Sequence, residues 1–205
     1  MSSTVVEAAV TAIQTGEIVV LPTDTVYGLC TGPYREEPAR RMYQLKGRDE
    51  ATPTALICGD LEMLFECVPE LRGKAGRVAR ALLPGPYTLV FANPARRYRW
   101  LTGSFSDTIG VRVPELPDPS RAVLERVGAV AATSANLTGG PDPRRVEDIP
   151  AEIREACAVV LDAGERPGIP STVLDLSGPE PKVIREGTVP AAEALAQVEQ
   201  ALPSP

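Results

Sequence analysis

Lys46-Gly47-Arg48 places two cations on either side of a glycine. Such a pair suits a phosphate or carboxylate. The same three residues also read as a helix C-cap, with the glycine in the left-handed turn and the cations at the negative end of the dipole. A second cluster, AATSANLTGG at 131–140, ends a run of small residues in Ser134 and Asn136 and then two glycines. Short hydroxyl and amide groups with small neighbours let a ligand approach the backbone, although a plain turn has the same composition. In TIGVRVP, strand alternation puts Thr108 and Arg112 on one face, and Gly110 leaves space between them. An arginine inside an apolar strand needs an anionic partner, either a bound carboxylate or phosphate or, more commonly, an internal salt bridge. Ser171-Thr172 opening one strand and Arg185 closing another complete the polar set, with the hydroxyl-rich end of VVLPTDTVYGLC at 19–30.

The chain contains no histidine. Ser-His-Asp and Cys-His mechanisms, HExxH zinc sites and imidazole proton shuttles are therefore excluded. No GxGxxG is present, and Gly73-Lys74 lacks the glycine five residues earlier that a Walker A loop requires. Catalysis must rest on carboxylates, lysine, arginine, hydroxyls or groups the substrate brings.

Positioning these residues requires a sheet. GEIVVLP, TALICG, YTLVFA, TIGVRVP, AVAATSAN, AVVLDAG, STVLDL and PKVIREG read as strands, the first ending in a proline-kinked polar turn. EEPARRMYQLKG, GRVARALLP and RAVLERVG read as helices, the first with Ala39, Met42 and Tyr43 inward. An N-terminal helix with Val5, Val6, Ala9, Val10 and Ile13 on one face is expected, capped by Ser3 or Thr4, and a short C-terminal helix that frays at its end. Strands and helices mixed along 205 residues with 43% hydrophobic content predict one α/β domain, 1–205, around a twisted mixed sheet with flanking helices.

No apolar run reaches 18 residues and no secretory leader is read at the start, so a cytoplasmic, non-membrane protein is expected. The four cysteines form no CxxC pair and read as reduced thiols. Net charge is −6, but residues 71–106 carry 7 basic and no acidic side chains. That island suits an anionic ligand or RNA, or is a solvated helix and turn. The acidic remainder argues against strong nonspecific nucleic-acid binding, and 4% aromatic content leaves few stacking platforms.

Taken in order, PTDTVYGL, KGR, PGPYT, TIGVRVP, TSAN, PSTVLD and VIREG resemble the motif series of the YrdC-like threonylcarbamoyl-AMP synthases, over about residues 5–187, leaving a short helix and tail at 188–205. The resemblance implies a concave, positively charged cavity. It also implies synthesis of threonylcarbamoyl-adenylate and pyrophosphate from L-threonine, bicarbonate and ATP with Mg²⁺, for the N6-threonylcarbamoyladenosine modification of tRNA by downstream transfer proteins. On the matching positions, Lys46, Arg48, Ser134 and Asn136 would hold the nucleotide and its phosphates, with Lys46 and Arg48 acting in catalysis. Thr108 and Arg185 would also contact nucleotide, while Thr25, Arg112 and Ser171 would bind L-threonine. No metal ligands are assigned. A weak tRNA or RNA contact through 71–106 is a further expectation.

The sequence departs from the family at KGRDEATPTAL, with Asp49 for a common proline and Thr52 for a common asparagine. In LTGGPDPRR, Asp142 falls near a position that often contacts ATP. A carboxylate beside phosphates is unfavourable unless a metal or Arg144 and Arg145 intervene. Two other readings stand beside the synthase: a YciO-like nucleotide-binding protein of different or no activity, and a noncatalytic RNA- or ribosome-binding module.

Overall fold

Val19, Val20 and Leu21 are fully buried in β1 (Val19–Pro22), and the chain doubles back at once into β2 (Tyr27–Thr31). The two pair antiparallel, from Val19 opposite Cys30 to Pro22 opposite Tyr27. No strand is expected from the sequence at YGLC. Burial on both faces removes the alternation that would have marked it. Thr23 closes the turn between them: its Oγ1 donates to the Val26 carbonyl (2.7 Å) and accepts from the backbone N–H groups of Thr25 and Val26 (both 3.2 Å). A hydroxyl there satisfies backbone groups that the tight reversal leaves unpaired.

The computed structural model describes residues 3–202; the expected frayed end at 203–205 lies outside the described residues. Seven further strands follow: β3 (Ala55–Cys58), β4 (Tyr87–Ala92), β5 (Thr108–Arg112), β6 (Ala129–Ser134), β7 (Val159–Val160), β8 (Thr172–Asp175) and β9 (Lys182–Arg185). The sheet order is β7-β1-β2-β6-β3-β5-β4-β8-β9. β1 with β7, β3 with β5 and β4 with β8 are parallel, and the other neighbours are antiparallel, so the sheet is mixed as expected.

The helices are α1 (Ser3–Thr15), α2 (Glu36–Lys46), α3 (Leu61–Cys67), α4 (Gly73–Leu82), α5 (Asp118–Val127), α6 (Ala151–Ala156) and α7 (Ala191–Ala201). Helix α1 already contains Ser3 and Thr4, so neither is the cap expected from the sequence, and the position before Ser3 lies outside the described residues. The sequence reading does not include α3 and α6. At 7 and 6 residues they are too short to display a helical period. A signal for α3 was present: Asp60 accepts the Met63 N–H at 2.7 Å, as an N-cap does.

One face of the sheet presents Val20, Leu29, Leu56, Leu89, Val111 and Leu174 to Met42 and Tyr43 of α2, Val78 and Leu82 of α4, and Ala194 and Val198 of α7. Each such side chain contributes about 1.5–3 kcal/mol when fully buried. The opposite face presents Val19, Leu21, Cys30, Ile57 and Val130 to Val10 and Ile13 of α1 and Val123 and Leu124 of α5. That second cluster reaches Ile57 of β3 and contains nothing from β5, β4, β8 or β9. Helices α1 and α5 therefore cover only half of their face.

A strap, 161–171, runs from β7 to β8 across the PTDT turn. The Tyr27 hydroxyl lies 2.8 Å from Asp162 Oδ1 and 2.7 Å from the Gly164 carbonyl, and it accepts from the Ala163 N–H. Arg166 Nη1 donates to the Thr23 carbonyl and the Gly168 N–H to that of Thr25 (2.9 Å). All four cysteines are free, three of them buried. No helix among the described residues is long and apolar enough to cross a membrane.

Candidate functional site

The uncovered half-face is the floor of a cavity of about 470 Å³. Alternation along the strands delivers the floor residues: Thr108, Gly110 and Arg112 from β5, Thr88 and Val90 from β4, Val173 and Asp175 from β8. Around this floor stand the linked pairs Thr23 and Thr25, Arg48 and Pro53, and Ser171 and Arg185, together with Ser134 and Asp142. Phe105 and Ile184, each 61% exposed, also line it and offer apolar surface.

Arg112 is the most buried of the cations that line the cavity. Its Nη2 donates to Asp24 Oδ1 at 2.8 Å and lies 3.4 Å from Thr25 Oγ1. Its Nε and Asp24 Oδ2 are buried without a protein partner. Burial pushes the Asp24 carboxyl up and the Arg112 guanidinium down, and their mutual attraction offsets part of each shift. Asp24 is thus the internal anionic partner of Arg112, which the sequence could not name because 88 positions separate them. Thr25 is 1% exposed, yet its side chain belongs to the cavity wall, its hydroxyl 3.0 Å from that of Thr23.

Helix α2 ends as its sequence suggests. Gly47 adopts φ 61°, where a Cβ would be strained, and the Gly47 and Arg48 N–H groups return to Gln44 and Tyr43 carbonyls. The two flanking cations then part company. Arg48 reaches the cavity, donating Nη2 to the Pro53 carbonyl at 2.7 Å and leaving its Nε without a partner. Lys46, 2% exposed, turns away from the cavity surface. Its Nζ donates to the carbonyls of Ser134 and Asn136 (both 2.7 Å) and to Asn136 Oδ1, with Ser134 Oγ at 3.4 Å. Asn136 also stands behind the surface, donating Nδ2 to the Gly140 carbonyl at 2.6 Å and accepting from Ser134 Oγ at 2.7 Å. Of the KxR and SxN residues, Arg48 and Ser134 face the cavity while Lys46 and Asn136 fix the loop that carries Ser134.

Burial among neutral oxygens, reinforced by repulsion from Arg48 and partly offset by Asp142, brings the Lys46 ammonium down to about 8. Deprotonation removes a positive charge beside the cavity. Affinity for a phosphate-bearing ligand should therefore fall as pH rises through about 8, and Lys46→Met should flatten that step; calorimetric titration on either side of this value checks it.

Ser171 Oγ lies 2.8 Å from Thr88 Oγ1, and Arg185 Nη2 donates to the Ser171 carbonyl at 2.9 Å. Burial lowers Arg185, with Asp142 acting in the opposite sense. Gly187 lets the chain pass here, since a Cβ would stand 2.2 Å from the Pro170 carbonyl. Thr108 sits on the floor with its hydroxyl donating to the Phe105 carbonyl at 3.2 Å.

Every residue proposed from the sequence therefore lines the cavity or, for Lys46 and Asn136, lies directly behind it. Thr88, Phe105 and Asp175 also line it and were not foreseen. The alternation of YTLVFA could have supplied Thr88, whereas the loop position of Phe105 carries no pattern. The departure at 49–52 forms a turn, with Asp49 Oδ1 accepting the Ala51 N–H, and Thr52 does not line the cavity. None of the basic residues of 71–106 lines it either. In that island Arg96 pairs with Asp107, Arg97 with Glu70, and Arg80 lies over the Phe65 ring.

A family model described as "Telomere recombination" and designated Sua5/YciO/YrdC matches residues 11–187. The chain belongs to this family. The threonylcarbamoyl-AMP synthase of Pyrococcus abyssi is 32% identical over 182 residues, which span 88% of this chain and 53% of that enzyme. The Vibrio campbellii threonylcarbamoyl-AMP synthase is 29% identical over 88% of this chain and 98% of its own. Among solved structures, P. abyssi Sua5 complexed with L-threonine superposes with a TM-score of 0.85 at 30% identity, covering 96% of this chain and 57% of that one. E. coli YciO superposes with a TM-score of 0.83 at 26% identity, covering 95% and 94%. The family's fold, a mixed sheet with flanking helices, is the one described above.

Proposed function

We propose that this protein is an L-threonylcarbamoyladenylate synthase, making threonylcarbamoyl-AMP and pyrophosphate from L-threonine, bicarbonate and ATP for the N6-threonylcarbamoyladenosine modification of tRNA. One observation carries the reading: a single cavity gathers Arg48, Arg112 and Arg185, cationic stations enough for both a carboxylate and a triphosphate. Arg112, with the Thr25 hydroxyl 3.4 Å from its Nη2 and Ser171 lining the same cavity, suits the carboxylate and hydroxyl of an amino acid. Arg48 and Arg185, with Ser134, suit a triphosphate. The relatives named as threonylcarbamoyl-AMP synthases and the threonine-bound P. abyssi structure support the same choice of substrates.

The chemistry suits a protein without histidine. Threonine's amine and bicarbonate condense to a carbamate with loss of water. A carbamate oxygen attacks the α-phosphorus of ATP, the bond to the bridging oxygen breaks, and pyrophosphate leaves. Since the substrates provide the nucleophile, the protein need only align them and offset phosphate charge.

No group of three or more His, Cys, Asp or Glu side chains among the described residues is placed to hold a metal ion. The donors fit a Mg²⁺ that arrives on the nucleotide and keeps mainly phosphate and water ligands, with Asp142 the carboxylate available to it. When bound, the ion neutralises the departing pyrophosphate. We further propose a cytoplasmic location, which free cysteines and these substrates favour, and a weak tRNA contact through 71–106, on a surface apart from the cavity. The product is a mixed anhydride that activates the threonylcarbamoyl group, and downstream transfer proteins pass that group to tRNA.

Purified protein with L-threonine, bicarbonate, ATP and Mg²⁺ should release pyrophosphate only when threonine and bicarbonate are both present. Nucleotide binding without such release would favour the YciO-like reading, and RNA binding alone the noncatalytic one.

A further inference from the structure

Asp142 is a half-buried carboxylate that lines the same cavity as Ser134, Arg48 and Arg185, the residues suited to a triphosphate. Its charge reaches Lys46 and Arg185, since it raises the proton affinity of both. Neither is bonded to it. Lys46 Nζ is occupied by oxygens of Ser134 and Asn136, and Arg185 donates to Ser171. The two nearby arginines that could screen a carboxylate from phosphates are taken as well. Arg144 and Arg145 both pair with Glu165 of the strap. The other carboxylate of the cavity, Asp175, is engaged by its own turn, accepting from Ser177 N–H (2.9 Å) and Oγ (2.6 Å). Asp142 is thus left without a protein counter-charge in contact, in the cavity that a triphosphate would enter.

We propose that Asp142 is the residue through which the cavity selects metal-loaded nucleotide: its carboxylate repels a bare triphosphate and ligates the divalent cation of a charged one. The proposal rests on the nucleotide reading above. Mg²⁺ at a triphosphate accepts one or two protein carboxylates alongside phosphate oxygens and water, and a lone aspartate fits that coordination. The same side chain without the metal is a like charge beside the phosphates, which discriminates against the wrong species as effectively as a contact favours the right one. Asp142 then has two opposite effects on one ligand, and only the cation switches between them.

Those opposite signs make the test. A non-hydrolysable ATP analogue with a methylene between the α- and β-phosphates is titrated calorimetrically into unaltered protein and Asp142→Asn, with EDTA and with Mg²⁺. Asp142→Asn should bind the metal-free analogue more tightly and the Mg²⁺-loaded analogue more weakly, reducing the metal-to-nucleotide coupling by on the order of ten-fold. Asp142→Glu, which keeps the charge, should retain part of that coupling and control for disturbance of the loop. Mn²⁺ in place of Mg²⁺ supplies a second readout, because its spin-resonance spectrum in the ternary complex should change on Asp142→Asn. Equal tightening with and without metal would mean that the carboxylate only repels, and would overturn the proposal. Unchanged affinities under both conditions would overturn it too. An analogue that fails to bind unaltered protein under either condition would overturn the nucleotide reading along with it.

Discussion

Arg112→Ala should abolish threonine-dependent pyrophosphate release and, at the same time, lower stability by about 3–5 kcal/mol. The guanidinium and its partner Asp24 are 10% and 11% exposed, so the substitution strands a carboxylate in a place from which water is largely excluded. Removing one member of a buried pair leaves the desolvation of the other uncompensated, which is why the loss exceeds the net worth of the pair. The two effects are separable. Adding Asp24→Asn to Arg112→Ala removes the stranded charge and should restore much of the stability, but not the activity, because the station for the threonine carboxylate is still gone. Denaturant unfolding of the single and double variants, beside the pyrophosphate assay, checks both halves. Full stability in Arg112→Ala would mean that Asp24 is not held by this pair, and undiminished activity would remove Arg112 from the substrate site.

The second large effect divides the two cations of KGR. Arg48→Ala should abolish adenylate formation while costing little stability, since its guanidinium is half-buried and has one hydrogen bond, to the Pro53 carbonyl. Lys46→Ala should abolish it as well, for a different reason. It deprives the Ser134 and Asn136 carbonyls and Asn136 Oδ1 of their donor. Each buried acceptor left unsatisfied costs about 1–3 kcal/mol, so this variant should be measurably less stable than Arg48→Ala. Thermal unfolding of the pair, with ATP binding measured on each, distinguishes a residue that touches ligand from one that holds the loop that does. Equal melting temperatures would contradict the placement of Lys46.

The polar motifs were legible in the sequence because each carries a local constraint that survives without its partners. Gly47 marks the end of α2, Gly110 leaves room beside Arg112, and small residues precede Ser134. Strand alternation correctly put Thr108 and Arg112 on one face. What local pattern does not encode is which charge answers which. Asp24 meets Arg112 across 88 positions, and Lys46 meets Asn136 across 90. The burial of Lys46 was similarly invisible, because a lysine at a helix end is ordinarily solvated and only the TSAN loop folding over it makes it otherwise. Among the elements, β2 was missed for being buried on both faces, and β7 proved only two residues long because it pairs with β1 only at Val159 opposite Val19 and Val160 opposite Val20 before the strap turns away.

The strap also has a bearing on the order in which the molecule is put together. The PTDT turn is synthesised well before the strap, Thr23 preceding Arg166 by 143 positions, yet its carbonyls at Thr23 and Thr25 are met by Arg166 and Gly168, and the Tyr27 hydroxyl by 162–164. Lys46 waits in the same way for Ser134 and Asn136, and Asp24 for Arg112. Closing loops of this length carries an entropic cost that local hairpin formation between β1 and β2 cannot meet by itself. A nascent chain whose strap is not yet made therefore possesses the threonines of the substrate wall without the geometry that makes them a wall. Ligand recognition arrives late, when residues 112–168 have wrapped back over the PTDT turn and Lys46.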